Sequence, residues 1–187
     1  YIPTVMGSCS TDMKAKIGGY QGRRLQKDDV IAFRAPRTDL KNLSLRHISP
    51  EFVPCAEYKL RVVLGPQDDA FTELGIMTFL SSVYTLTPEF DRMGCRLDGE
   101  PIEHIKDGNI ISDGMAFGAI QVPSAGKPII MLADRQTTGG YTKIANVISA
   151  DFRILAQLKM GDRVRFEKVS ITDAQEALLA QRAMLRC

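Results

Sequence analysis

Residues 134–141 combine the side-chain types that bind small polar substrates. They are Asp134, Arg135, Gln136, Thr137, Thr138, Gly139, Gly140 and Tyr141. The run follows directly after the apolar segment 128–132, and a buried strand that ends in a polar, glycine-containing loop often forms part of a site. The alternative is a tight turn whose polar groups only satisfy the backbone. An ordinary turn does not need an acid, a cation and an amide in succession, so we favour a functional loop.

Further polar residues follow other strand candidates: Arg92, Asp113, Gln67 and Gln121. In a barrel such strand ends can converge at one mouth. Together they suit a small planar substrate such as an amide, urea or lactam, because an Asp can accept its N–H while an Arg polarises its C=O. We therefore predict catalytic roles for Asp134, Arg135 and Asp113, and substrate contacts for Gln136, Thr137, Thr138, Gly139, Tyr141, Arg92, Gln121 and Gln67.

Each of these residues also has a purely structural interpretation. Asp91 and Arg92 can form a surface ion pair, Asp113 can serve as a turn former, and Tyr141 can simply pack its ring. The two histidines and four cysteines show no metal-ligand spacing and no nucleophile context, so no metal site is predicted. The pair Gly139-Gly140 lacks the surrounding pattern of a P-loop or a dinucleotide fingerprint.

The composition is that of an ordinary soluble protein. The 187 residues are 44% apolar and 25% charged, with a formal net charge of +2, which favours neither a nucleic acid nor a membrane as partner. No apolar run reaches the length of a membrane span and no secretory signal opens the chain. We therefore expect reduced thiols and a cytoplasmic location.

The elements that must position these residues are mostly strands. Strand candidates cover residues 58–64, 83–87, 93–97, 119–122, 129–132, 144–148 and 163–169. Asp68 is a predicted helix N-cap, and Thr172 with Gln175 is a predicted capping box for a C-terminal helix. Residues 112–114 are predicted as a turn after a strand, and residues 35–54 as a linker. About seven strands with two or three helices indicate a mainly β barrel or sandwich with helices at its ends.

Several of these motifs resemble, in the same order, those of one family, the biotin-dependent carboxyltransferases, also called allophanate hydrolase subunit 2 or KipA-like proteins. The motifs are Gly65–Asp68, Asp91–Gly99, Ser112–Gly114, Gly118–Pro123, Pro128–Ile130 and Asp134–Tyr141. The resemblance extends from about Gly7 to about Val169.

The family implies two tandem cyclophilin-like β-barrel subdomains, of which this chain would be the C-terminal part. Residues 1–55 would be the remainder of the first subdomain plus the linker, and residues 56–187 the second subdomain. We expect the front of the first subdomain to be missing before Tyr1.

The resemblance also implies an activity. The leading expectation is one component of an ATP-dependent 5-oxoprolinase, which opens a lactam to glutamate together with a KipI-like (B-type) subunit and an A-type subunit. The alternatives are carboxyl transfer, with biotin carried on another chain, and a non-catalytic antagonist of a KipI-like kinase inhibitor. Under the leading expectation ATP acts in the complex, and the sequence does not identify the subunit that binds it.

Overall fold

The computed structural model describes residues 1–33, 35 and 57–184. The chain divides into two compact units, Tyr1–Pro50 and Glu51–Cys187. The predicted linker, apart from position 35, and the predicted domain boundary between residues 55 and 56 lie outside the described residues.

The described part of the first unit contains one short antiparallel pair. Strand β1 (Thr11–Asp12) pairs with β2 (Ile17–Gly18). Farther along, the two guanidinium nitrogens of Arg23 each donate to one oxygen of Asp29 at 2.8 Å. This contact, with a backbone N–H from Gln26, lowers the pKa of Asp29 to about 2.

The second unit is built on a closed barrel of seven strands. Their order is β3, β10, β4, β5, β8, β7 and β9, and pairing of β9 with β3 closes the barrel. An eighth strand, β6, extends the sheet from β9. The strands are β3 (Glu57–Leu64), β4 (Val83–Phe90), β5 (Gly94–Asp98), β6 (Asn109–Gly114), β7 (Ala119–Val122), β8 (Ile129–Met131), β9 (Thr138–Val147) and β10 (Arg163–Lys168). The predicted mainly β fold with a few helices is confirmed.

Alternating side chains build the barrel core. In β10 Val164 and Phe166 are buried while their neighbours are more exposed, and β10 pairs in parallel with β3, where Tyr58 lies opposite Val164. The ring of Phe79, from the first helix, stacks on Phe166 with centroids 4.4 Å apart. The half-apolar pattern of residues 163–169 therefore places one face of the strand in the core.

The first helix, α1 (Glu73–Ser81), begins later than predicted. Asp68 instead begins a short 3-10 turn, and the N-cap of α1 is Thr72, whose hydroxyl oxygen accepts the N–H of Gly75 at 2.9 Å. The prediction of Asp68 as the cap was wrong because a separate turn lies between the acid and the helix.

Two helices follow β9, α2 (Phe152–Leu155) and α3 (Ile171–Met184). The cap of α3 is Ser170, whose Oγ accepts the N–H of Asp173 at 3.1 Å while Asp173 accepts the N–H of Ser170 at 3.1 Å. The predicted capping box of Thr172 and Gln175 is therefore displaced by two residues. In the part of the chain that the structure describes, no helix has the length and apolarity to cross a membrane.

Candidate functional site

Strand β6 lies along the first part of β9 and brings two of the predicted polar segments side by side. Asp113 is directly opposite Gly139, and Gly114 is opposite Thr138, in an antiparallel pair. The predictions of a turn at residues 112–114 and of a loop reaching residues 138–141 were therefore wrong, because these residues belong to strands that pair with each other.

A polar network joins Asp113 to a lysine of β9. The Nζ of Lys143 donates to Asp113 Oδ2 at 2.8 Å, and the Gln67 Nε2 donates to the same oxygen at 3.2 Å. Gln67 Oε1 in turn accepts the backbone N–H of Lys143 at 3.2 Å. The Lys143 side chain is only 5% exposed, whereas that of Asp113 is 52% exposed. The site therefore consists of a buried ammonium group paired with a carboxylate that reaches solvent.

The charge state of Asp113 follows from these contacts. The hydrogen bond from Lys143 is the main cause that lowers the pKa of the Asp113 carboxyl, and the Gly114 N–H and the Gln67 amide lower it further. Asp113 is therefore ionised at neutral pH. Among the described residues only Asp113 accepts a hydrogen bond from the Lys143 ammonium, and this group has three donors.

Gln121 lies next to this network. It is the cross-strand partner of Lys143 in the pair formed by β7 and β9, beside a bulge. Gln121 is 5% exposed, and no described residue hydrogen-bonds to its buried Oε1. A methyl group at Gly139 would lie 3.4 Å from this Oε1 and 3.6 Å from the Gln136 Nε2. The amides of Gln121 and Gln136 thus both face Gly139.

Arg135 and Thr137 hold the segment that covers Gln121. Arg135 Nε donates to the carbonyl oxygen of Met115 at 2.9 Å, and the Met115 N–H donates to the carbonyl oxygen of Thr137 at 2.9 Å. Arg135 Nη1 also donates to the Leu132 carbonyl oxygen at 3.3 Å. In this structure the Arg135 guanidinium therefore positions Met115 rather than extending toward Asp113.

Asp134 and Arg92 form a separate pair. Arg92 Nε donates to Asp134 Oδ2 at 2.7 Å and Nη2 donates to Oδ1 at 3.0 Å, and both side chains are exposed. The hydrogen bonds from Arg92 are the main cause that lowers the pKa of Asp134. No hydrogen bond or ion pair between described residues joins this pair to Asp113 or Lys143.

The structure thus sorts the predicted residues into four groups. One group lies around Lys143 and Gly139: Gln67, Asp113, Gln121, Gln136 and Gly139 itself. Arg135 and Thr137 clamp Met115, while Asp134 and Arg92 form an exposed ion pair. Thr138 and Tyr141 lie in β9 with exposed side chains.

Sequence reasoning missed Lys143 and Met115. One signal for Lys143 was available, because it is a lone cation two residues after Tyr141, directly before the apolar run from Ile144. A charged residue inside such a strand needs a partner when it is buried. The sequence does not indicate that Met115 lies near these residues, because its position depends on the connection between β6 and β7.

An open groove of about 390 Å³ lies elsewhere on this unit, between α1 and the segments 101–107 and 124–126. It is lined by none of the predicted site residues. His104 borders it, with Nε2 3.1 Å from the Val122 carbonyl oxygen and 3.0 Å from the Thr142 hydroxyl. Burial lowers the pKa of His104, so the ring is neutral near pH 7.

The glycine pair of β9 does not have the geometry of a phosphate-binding loop, and the described residues contain no cluster of metal-ligating side chains. Gly139 and Gly140 lie in an antiparallel strand paired with β6, which differs from the loop before a helix N-terminus that binds phosphates. Within residues 1–33, 35 and 57–184, no group of three or more His, Cys, Asp or Glu side chains is arranged to hold a metal ion.

Comparison with known proteins identifies relatives of nearly the whole chain. Residues 1–168 match the family model described as carboxyltransferase domain, subdomain A and B. The chain is 38% identical to the C component of the 5-oxoprolinase of Haemophilus influenzae over 173 residues, which are 92% of this chain and 54% of that protein. It is 34% identical to the C component of the Escherichia coli 5-oxoprolinase, covering 94% of this chain and 55% of that protein.

A solved structure gives the same result for the fold. The Kluyveromyces lactis urea carboxylase superposes with a TM-score of 0.79 at 25% identity, over 97% of this chain and 18% of that one. The chain spans about half the length of the two curated relatives.

Proposed function

The chain belongs to the carboxyltransferase-domain family, subdomains A and B, and we propose that it acts in the C component of an ATP-dependent 5-oxoprolinase. In this reaction water adds across the lactam C–N bond of 5-oxoproline, so that the carbonyl carbon gains an oxygen, the nitrogen gains a proton and glutamate forms. The names of the two curated relatives support the substrate.

The observation that carries this proposal is the buried Lys143 ammonium, 2.8 Å from Asp113. A carbonyl oxygen that gains negative charge during lactam opening needs a preorganised donor, and such a donor is most effective where water is excluded. Lys143 supplies the donor. Asp113 and Gln67 hold the lysine in place, because Asp113 accepts from its ammonium and Gln67 contacts both Asp113 Oδ2 and the Lys143 backbone N–H.

The reaction also needs partner subunits and ATP, which we assign to other chains of the complex. The complex would include a KipI-like (B-type) subunit and an A-type subunit, and ATP would supply the driving force within it. Gly139 and Gly140 are strand residues, so we do not assign ATP to them. We assign the exposed ion pair of Arg92 and Asp134 to contact with these partners or with the substrate carboxylate.

Reconstitution tests the proposal directly. The full-length protein is mixed with its B-type and A-type subunits, and ATP-dependent release of glutamate from 5-oxoproline is measured. We expect release with all three components and none when this protein is omitted. Equal release without this protein would remove it from the reaction.

Carboxyl transfer is the second candidate, favoured by the similarity to urea carboxylase over 97% of the chain. In that reaction Lys143 would polarise the carbonyl of a urea-like acceptor, and biotin would arrive on another chain. Consumption of carboxybiotin in the presence of urea, with no glutamate release from 5-oxoproline, would favour this reaction over lactam opening.

A further inference from the structure

The Gln121 carboxamide has no hydrogen-bonding partner among the described residues. Its Oε1 is buried, and no hydrogen bond from the described residues reaches it. An unpaired buried carbonyl oxygen destabilises a folded protein, so such a group needs an explanation beyond packing. A shape-matched apolar residue such as methionine would fill the same space without that cost.

The surroundings of Gln121 are suited to a ligand. A methyl group at Gly139 would lie 2.5 Å from the Cε of Met115 and 3.4 Å from Gln121 Oε1. The flexible end of Met115 therefore occupies the space that Gly139 leaves free beside the amide. Gln121 is also opposite Lys143 in the pair of β7 with β9, and directly opposed side chains lie on the same face of a sheet.

The backbone of Met115 is fixed, whereas its side chain can change rotamer. Its N–H donates to Thr137 and its carbonyl oxygen accepts from Arg135, both at 2.9 Å. The thioether has three rotatable bonds and tolerates several rotamers. Uncovering Gln121 would therefore require rotation of the Met115 side chain and no movement of its backbone.

We propose that Gln121 binds the –NH–C(=O)– edge of a cyclic amide, in a site that the Met115 side chain covers in this structure. In a lactam or a cyclic urea the N–H and the C=O lie side by side, which matches a primary carboxamide at two points. Gln121 Oε1 accepts the ligand N–H and Nε2 donates to the ligand oxygen. The second lone pair of that oxygen is left for Lys143, so this inference rests on the function proposed above. It makes Gln121 the residue that selects an unsubstituted ring nitrogen.

Binding to the full chain alone, without partner subunits, tests this site separately from the reaction. The probes are 2-pyrrolidinone and N-methyl-2-pyrrolidinone, which differ only in the ring N–H. Binding is followed by nuclear magnetic resonance of isotope-labelled methionine methyl groups, with the Met115 signal assigned by its loss in Met115→Leu. We expect 2-pyrrolidinone to shift the Met115 signal and to bind at least about tenfold more tightly than the N-methyl compound, since one hydrogen bond is lost.

Two variants separate recognition from packing. Gln121→Met should abolish the preference for the N–H compound while melting at or above the wild-type temperature, and Met115→Ala should strengthen binding of 2-pyrrolidinone. Gln157→Met, at an exposed glutamine, is the matched control and should change neither result. Equal binding of both compounds to the wild type, or an unchanged preference in Gln121→Met, would overturn the proposal.

Two further titrations, with 5-oxoproline and with biotin, identify which cyclic amide binds at this site. A Met115 shift with 5-oxoproline assigns the site to the lactam, and a shift with biotin alone assigns it to a ureido ring. No shift with either overturns the inference, while glutamate release in the reconstituted complex would still stand on its own.

Discussion

Replacing Lys143 by methionine separates the proposed catalytic role of this lysine from its structural role. Methionine keeps most of the buried stem volume of Lys143 and removes the ammonium that contacts Asp113 at 2.8 Å. The carboxylate of Asp113 is 52% exposed, so it regains water when its partner is lost. We therefore expect only a small change in melting temperature.

The effect on turnover should be much larger. Removal of one preorganised donor to a developing oxyanion lowers kcat by about 10²–10³-fold, which corresponds to about 2.7–4 kcal/mol of transition-state stabilisation. The interaction is made mainly as charge develops on the substrate oxygen, so kcat should fall more than KM rises.

The assay is ATP-dependent glutamate release by the reconstituted complex. Lys127→Met is the matched control, because Lys127 also pairs with an aspartate, Asp98, at 2.8 Å but lies outside the site. The control should retain wild-type turnover. If Lys143→Met keeps kcat within about threefold of wild type in a folded complex, Lys143 does not stabilise the oxyanion.

Three other predictions concern the fold. Gly75→Ala should lower the free energy of unfolding in urea by about 1–3 kcal/mol, because the added methyl group would clash with the Glu103 carbonyl oxygen. This loss is expected even though alanine favours a helix more than glycine does. Equal or greater stability of the variant would show that the backbone at Glu103 moves to accommodate the methyl group. Burial raises the pKa of the Cys95 thiol to about 12, so this thiol should resist alkylation at about pH 8 in the native protein and react in urea. Mass spectrometry of the peptide that contains Cys95 measures both rates. Alkylation of the native protein as fast as in urea would contradict this prediction. Burial lowers the pKa of His104, so the unfolded state binds more protons and the free energy of unfolding should fall as the pH drops below about 6.5. This fall should be less steep in His104→Gln than in His47→Gln. Equal slopes in the two variants would show that His104 does not cause the pH dependence.

The barrel was predictable because its strands carry their own pattern. Residues 58–64 and 163–169 alternate between apolar and polar side chains, and Tyr58 and Val164 do lie inward on neighbouring strands. The residues at which helices begin were harder to predict. The Asp68 cap failed since a 3-10 turn and a second capping residue, Thr72, lie a few positions apart, and local preference alone does not choose between them.

The site was predictable in composition more than in geometry. Asp113 and Gly139 were both selected, yet their contact depends on antiparallel pairing between segments 26 residues apart, and the sequence does not contain that register. Arg135 was expected to reach the substrate. The structure shows its guanidinium donating to the Met115 carbonyl oxygen in the connection from β6 to β7, a contact that the sequence does not predict.

The same connection explains how polar groups come to be buried outside a closed barrel. In β7, Ile120 and Val122 face the core, while Ala119 joins Met115 in a second apolar cluster with Ile129 and Met131. The Met115 side chain therefore lies over the outer face of β7 and β9 beside Gly139 and Gln121, and Gln121 and Lys143 are both about 5% exposed. A charge in such a covered layer acts through a lower dielectric constant than one at the barrel mouth. Lys143 is consequently better placed to polarise a carbonyl than the exposed Arg92, even though an arginine offers more donors.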